Sequence, residues 1–133
     1  MFKVLIDRPL RLQMEVVDTE DRMQTMQLAV NFALVVQDGA IDYSGLHWVK
    51  CSDWRNFVDG LKCAGERKLV LVDLSGELSF GVEVSGSGAI VAISVIRKGM
   101  LNRASVRIDY SAKIDQDILM PLIQAFSDFT CWR

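Results

Sequence analysis

Apolar residues recur at every second position along much of this chain, the period that sets one face of a β-strand in a core and the other in water. In LRLQMEV, Leu10, Leu12, Met14 and Val16 alternate with Arg11, Gln13 and Glu15. In MQLAVNFALVV, Met26, Leu28, Val30, Phe32 and Leu34 alternate around Gln27 and Asn31, with DTEDR as an acidic turn between the two strands. LSFGVEV points Leu78, Phe80, Val82 and Val84 inward, and ASVRIDYSA does the same with Ala104, Val106, Ile108 and Tyr110. In LHWVK the same reading turns Leu46 and Trp48 inward and His47 outward. KLVLVDL and AIVAISVI are apolar on both parities, so each is expected to be covered on both sides or buried against a partner.

Two segments change period. Trp54, Phe57, Val58 and Leu61 fall at helical spacing, with Ser52 as the expected cap, Asp53 at the positive end of the helix dipole and Gly65 at the stop. Leu119, Leu122, Ile123 and Phe126 form a second stripe. Proline is best tolerated in a first turn, so Pro121 places the start of that helix near Met120, after a capping turn DQDI. Ser85 to Gly88, SGSG, separates two strands and reads as a hairpin turn; a phosphate-cradling loop would run from a strand into a helix instead. Strands joined by short turns, with one helix mid-chain and one near the C-terminus, predict an α+β fold. The expectation is a single antiparallel, meander-like sheet with both helices packed on it, in one domain spanning 1–133, with no internal repeat.

Composition narrows the function classes. A chain of 133 residues, 50% hydrophobic and 24% charged, has the balance of a globular protein and the length to bury a core without staples. Fifteen basic against seventeen acidic residues, with no block of either sign, provide no concentrated field for phosphates, so nucleic acid is not an expected partner. Lys3, Asp7, Arg8 and Arg11 interrupt the N-terminal apolar residues, and the longest uncharged runs are too short for a membrane helix; a cytoplasmic location is expected, with no membrane partner. Cys51, Cys63 and Cys131 are odd in number and lack C-x-x-C spacing, which predicts reduced, mostly buried thiols rather than a disulfide or zinc framework. A helix between Cys51 and Cys63 would hold them roughly 18 Å apart.

Catalytic chemistry has few places to reside. HWVKCSDWRNF gathers the only histidine, His47, with Cys51 and Asp53, the residue types of a thiol–imidazole pair and its orienting carboxylate. With His47 facing outward, and Cys51 about 13 Å away along extended backbone, the pair would need a chain reversal. Trp48, Trp54 and Trp132 could form an aromatic cage, but Trp48 and Trp54 sit at core spacing. The carboxylates lie in separate turns, at Asp18, Glu20 and Asp21, at Asp38 and Asp42, and at Asp115 and Asp117; none has the ligand series of a calcium loop. No catalytic, metal-binding or cofactor-binding residue is assigned, and the expected cofactor is none.

The segments WVKCSDWRNFVDGL, LVLVDLSGELSFGVEVSGSGAIVAISV and IDQDILMPLIQAF resemble, in that order, the WapI-like immunity proteins of bacteria. That family has a D-[LW]-x-x-F-x-x-x-L helix, a glycine-bearing hairpin between sheet strands, and a D-Q-T-Y-L-P type start to its last helix. Asp53, Trp54, Phe57 and Leu61 match the first feature, and Gly86 and Gly88 the second. Asp115, Gln116 and Pro121 match the third, with Pro121 one residue later than the pattern. The resemblance runs over residues 25–126 and rests on positions that build a core or a turn. It implies a non-enzymatic cytoplasmic inhibitor that binds and neutralises a cognate protein toxin, often a nuclease. Asp18, Glu20 and Asp21 are the candidate contacts with a basic toxin, by charge. Two other readings compete with it: a small-ligand-binding or homodimeric domain in which Ala89 to Ile96 lines a pocket or subunit interface, and a hydrolase using His47.

Overall fold

The computed structural model describes residues 3–99, 101 and 103–129. Strands β1 (Lys3–Ile6), β2 (Arg11–Glu20), β3 (Thr25–Val36) and β4 (Gly39–Lys50) form one antiparallel four-stranded sheet in sequence order. Helix α1 (Cys51–Lys62) follows, and then β5 (Arg67–Val72), β6 (Leu78–Ser85), β7 (Gly88–Lys98) and β8 (Ser105–Ile114) form a second sheet of the same topology. Helix α2 (Gln116–Asp128) closes the described chain.

The α+β composition and the antiparallel meander agree with the sequence reading, but one sheet is replaced by two. The physical reason is α1. It interrupts the meander between β4 and β5, and the free edge of β4 is met by the Leu74 N–H and the Arg97 side chain of the second half and not by a β5 ladder. The halves then repeat, each a meander followed by a helix, and the stripe Trp54, Phe57, Val58 and Leu61 recurs at the same spacing as Leu119, Leu122, Ile123 and Phe126. The sequence reading found no repeat because the sides of the sheets, not the residue identities, are what recur. Each helix crosses to the other half: α1 packs on β5, α2 on β1, and the two helices touch.

The inward set of β2, β3 and β6 is as the alternation requires: Leu12, Met14, Met26, Leu28, Val30, Phe80 and Val82 are buried in one continuous cluster with both helices. Phe80 reaches Phe57 of α1 and Phe126 of α2, with ring centroids 5.9 and 5.4 Å apart. Burying aromatic side chains of this size contributes about 2 to 3 kcal/mol each. One expectation is narrowed and two are corrected. The doubly apolar strands are not covered on both sides within this chain, since Val70, Val72 and Ile90 are exposed, which leaves the other option, burial against a partner. In β8 the inward parity holds, but Ala104 lies before the strand, Val106 is exposed, Ile108 and Tyr110 are half-buried, and only Ile114 at the far end is buried. Cys51 is buried while Cys63 is exposed, and Cys131 and Trp132 lie outside the described residues.

The helix starts also differ from the sequence expectation. Lys50, not Ser52, occupies the cap position of α1 and offers no side-chain bond; the first free amide, Cys51 N–H, donates instead to the Gln24 carbonyl at 2.9 Å. Asp115 caps α2 by accepting from Ile118 N–H at 3.1 Å, so the helix begins at Gln116 and Pro121 sits inside it. The cap and the buried stripe outweigh the one helical hydrogen bond that proline forgoes. The SGSG turn is a two-residue hairpin closing on the pair Ser85 and Gly88. A Cβ on Gly88 would stand 2.5 Å from the Ile114 carbonyl oxygen, at φ +146°, so only glycine fits.

Candidate functional site

The most concentrated chemistry lies where β4 meets the second half. The β3–β4 hairpin has a two-residue turn, Gln37 and Asp38, with Asp38 at φ 61°, and this fixes the register over the whole pair. Leu28 therefore lies opposite His47, and Met26 opposite Val49. Opposed residues share a face, so the inward set of β3 draws His47 and Val49 inward and turns Leu46 and Trp48 outward. This corrects the parity read from LHWVK alone: Leu46 is exposed, Trp48 half-buried, and the His47 side chain fully buried.

A histidine buried there needs partners, and it has three. Its Nδ1 lies 2.8 Å from Asp73 Oδ2, its Nε2 lies 2.8 Å from the Tyr43 hydroxyl, and Arg97 Nη2 approaches Nε2 at 3.1 Å. Arginine only donates and an ionised Asp73 only accepts. The proton is thus on Nδ1, which donates to Asp73, and Nε2 accepts from Tyr43. Asp73, in the turn after β5, also accepts from Leu78 N–H at 3.1 Å and from the Ser75 hydroxyl at 2.8 Å. Arg97 on β7 donates through Nε to the Tyr43 oxygen at 2.8 Å and through Nη2 to the Leu46 carbonyl at 2.8 Å, and faces Glu77 at 3.4 Å. Gly45 makes room for this crossing, since a Cβ there would collide with the Tyr43 hydroxyl and come within 2.9 Å of Arg97 Nη2.

The charges follow from these surroundings. Burial lowers the His47 pKa below its usual value and the Arg97 cation lowers it further, against the opposing pull of the Asp73 hydrogen bond, so the ring is neutral. For Asp73, burial favours the neutral acid, but the hydrogen bonds from His47, Leu78 and Ser75 outweigh it and hold the carboxyl below its ordinary range.

The order hydroxyl, imidazole, carboxylate is that of an activated nucleophile. Its access is not. The His47 and Asp73 side chains are 0% and 2% exposed, and the Tyr43 hydroxyl is already engaged by both His47 and Arg97. The arrangement can hold a proton in place and tie β4 to the turn after β5 and to β7; it leaves no space for a substrate atom at the imidazole. Cys51 and Asp53, which the sequence set beside His47, lie in the first turn of α1, and Asp73, not Asp53, orients the ring. Sequence reasoning missed Asp73, Tyr43 and Arg97. The signal for Tyr43 was the two-residue turn, which places it opposite Phe32 on the inward face; its ring stacks on Phe32 with centroids 5.0 Å apart.

Asp18 and Glu20 are exposed at the end of β2, and Asp21 is exposed in the turn that follows, so only Asp21 belongs to a turn proper. Asp18 accepts from Thr19 N–H at 2.8 Å and Glu20 from Arg22 N–H at 2.9 Å. A β-bulge between Val16 and Asp18 puts Asp18 opposite Gln27, in the row that leads across the sheet to Trp48. Among the described residues no helix is long and apolar enough to cross a membrane. No protein-family model, curated protein or solved structure matches the chain.

Proposed function

We propose that this chain is a non-enzymatic, protein-binding inhibitor of the bacterial immunity type, which neutralises a protein toxin in the cytoplasm by covering its working surface. The observation that supports this reading is the closure of the His47 cluster. The side chains best suited to catalysis are sealed and hydrogen-bonded to one another, which spends them on rigidity and leaves the outer sheet faces as the working surfaces. A rigid face suits occlusion, because little ordering entropy opposes binding. The resemblance of the α1 residues Asp53, Trp54, Phe57 and Leu61 and of the Gly86–Gly88 hairpin to WapI-like immunity proteins points the same way.

The test is co-expression with the C-terminal domain of a large secreted protein encoded directly upstream. Growth restored by the intact chain supports the proposal; continued toxicity at matched expression overturns it. A catalytic reading requires an activity that disappears in a folded His47→Gln variant. A second reading, self-association through the outer face of the second sheet, is favoured by the exposed Val70, Val72 and Ile90 and by the shallow trough of ≈ 240 Å³ beside them. A concentration-independent monomer in light scattering would count against that reading.

A further inference from the structure

We infer that the partner seats on the outer face of the first sheet, around Trp48, and that it presents a basic, arginine-bearing surface there; this rests on the protein-binding reading above. Strand pairing sets Asp18, Gln27 and Trp48 in one row across that face, and Glu15, Ala29 and Leu46 in the next. Leu46 is 54% exposed. Beside them Leu74, 50% exposed, is fixed by its own N–H donating to the Trp48 carbonyl at 2.8 Å. An indole flanked by two exposed leucines is the composition of an interface centre, where tryptophan is among the residues that carry most binding energy.

The same strand excludes another docking mode. The carbonyls of Leu46 and Trp48 on the edge of β4 are already taken by Arg97 and Leu74, so a partner reads side chains here and does not extend the sheet. The charges select its chemistry. At this end of the face Glu15, Asp18, Glu20 and Asp21 stand against the cations Lys3, Arg22 and Lys50, and Lys3 lies directly across from Glu15, so the excess of carboxylate is at Asp18, Glu20 and Asp21. An arginine can lie flat on an indole while carboxylates take its N–H groups, a combination lysine matches less well. The outer face of the second sheet has no such anchor, its central row being Val70, Gly81, Ala92 and Ser111.

Two measurements on the full chain test the surface. In an NMR titration with an oligoarginine peptide at low salt, the Trp48 indole and the Asp18 and Glu15 amides should shift, and added salt should reverse the effect; shifts confined to the second sheet, or none, overturn the inference. Against a toxin domain that the intact chain neutralises, Trp48→Ala should weaken binding by at least about 30-fold. Reversing Asp18, Glu20 and Asp21 to lysine should slow association about tenfold at low salt. Val70→Asp, on the other sheet, should leave affinity within about twofold. Full affinity in both the Trp48→Ala and the charge-reversed chain sinks the surface but not the inhibitory function. A chain that neutralises no toxin, yet takes oligoarginine at Trp48, sinks the function and keeps the surface.

Discussion

Where β4 meets the turn after β5, His47, Asp73, Tyr43 and Arg97 join the halves through hydrogen bonds of 2.8 to 3.1 Å. The topologically equivalent meeting, of β8 with the turn after β1, is made by Tyr110, whose hydroxyl donates to the Pro9 carbonyl at 3.3 Å. Beside it a recess of ≈ 270 Å³ opens between Leu5, Arg8, Asp117 and Pro121. The same architecture thus has one polar, saturated seam and one sparse seam, the latter held mainly by α2 lying on β1. Buried polar networks add little net stability over well-packed apolar groups, but they are costly to break and they specify one geometry. The dense seam therefore fixes the strand that carries Leu46 and Trp48, and the sparse seam is free to be simple.

The largest effect should come from removing the carboxylate at the centre of the dense seam. Asp73→Ala strands the Nδ1–H of His47 and the N–H of Leu78 in the interior, and should cost about 3 kcal/mol. Urea unfolding measures it; a loss under about 1 kcal/mol would mean that the network does not hold the halves together. Gly45→Ala comes next, at about 2 kcal/mol, because the added methyl displaces the Tyr43 hydroxyl and Arg97 Nη2 from their crossing. It should also disturb the amide signals of Leu46 and Trp48 while leaving those around Tyr110 in place, and equal disturbance at both seams would contradict the contrast.

Acid should distinguish the seams without any mutation. Folding holds His47 neutral with a lowered pKa, so between that pKa and about 6.5 the unfolded chain binds more protons than the folded one. The stability His47 contributes is complete above pH 6.5 and declines as pH falls through this window, by at most about 1.4 kcal/mol per pH unit. Asp73 also has a lowered pKa, so its contribution is present above the ordinary carboxylate value and is lost at more acid pH, as pH drops through its folded pKa. Urea midpoints taken from neutral to about pH 5 should fall in the native chain and flatten in His47→Gln. A native profile as flat as the variant's would remove His47 from the account.

Much of the fold was readable because strand faces and helix stripes obey fixed periods. Met26 through Leu34 and Trp54 through Leu61 declared their inward sides without any partner's help. LHWVK did not, since Leu46, Trp48 and Val49 satisfy either parity when read alone, and only the register imposed by the Gln37–Asp38 turn decides it. The site was less readable still. His47 and Asp73 are 26 residues apart, and Tyr43 and Arg97 are 54 apart. Nothing local marks such pairs, because the split into two sheets that brings them together depends on where α1 takes the chain. Asp53 drew attention for its nearness in sequence, yet the carboxylate that matters arrives from the other half.

The smallest expected effect belongs to the sparse seam. Tyr110→Phe removes one hydroxyl from a half-buried side chain and leaves the Pro9 carbonyl to find another donor, so it should cost about 0.5 to 1 kcal/mol. Its ring keeps its place against the core, so the urea dependence of unfolding should not change slope. Tyr43→Phe provides the matched comparison, because the same atom is removed where it both donates to His47 and accepts from Arg97. Its loss leaves Nε2 with Arg97 as its remaining donor, at 3.1 Å, and should cost more than Tyr110→Phe by about 1 kcal/mol. Equal losses in the two variants would show that the hydroxyls do equivalent service, and the difference between the seams would then rest on Asp73 and Arg97 alone.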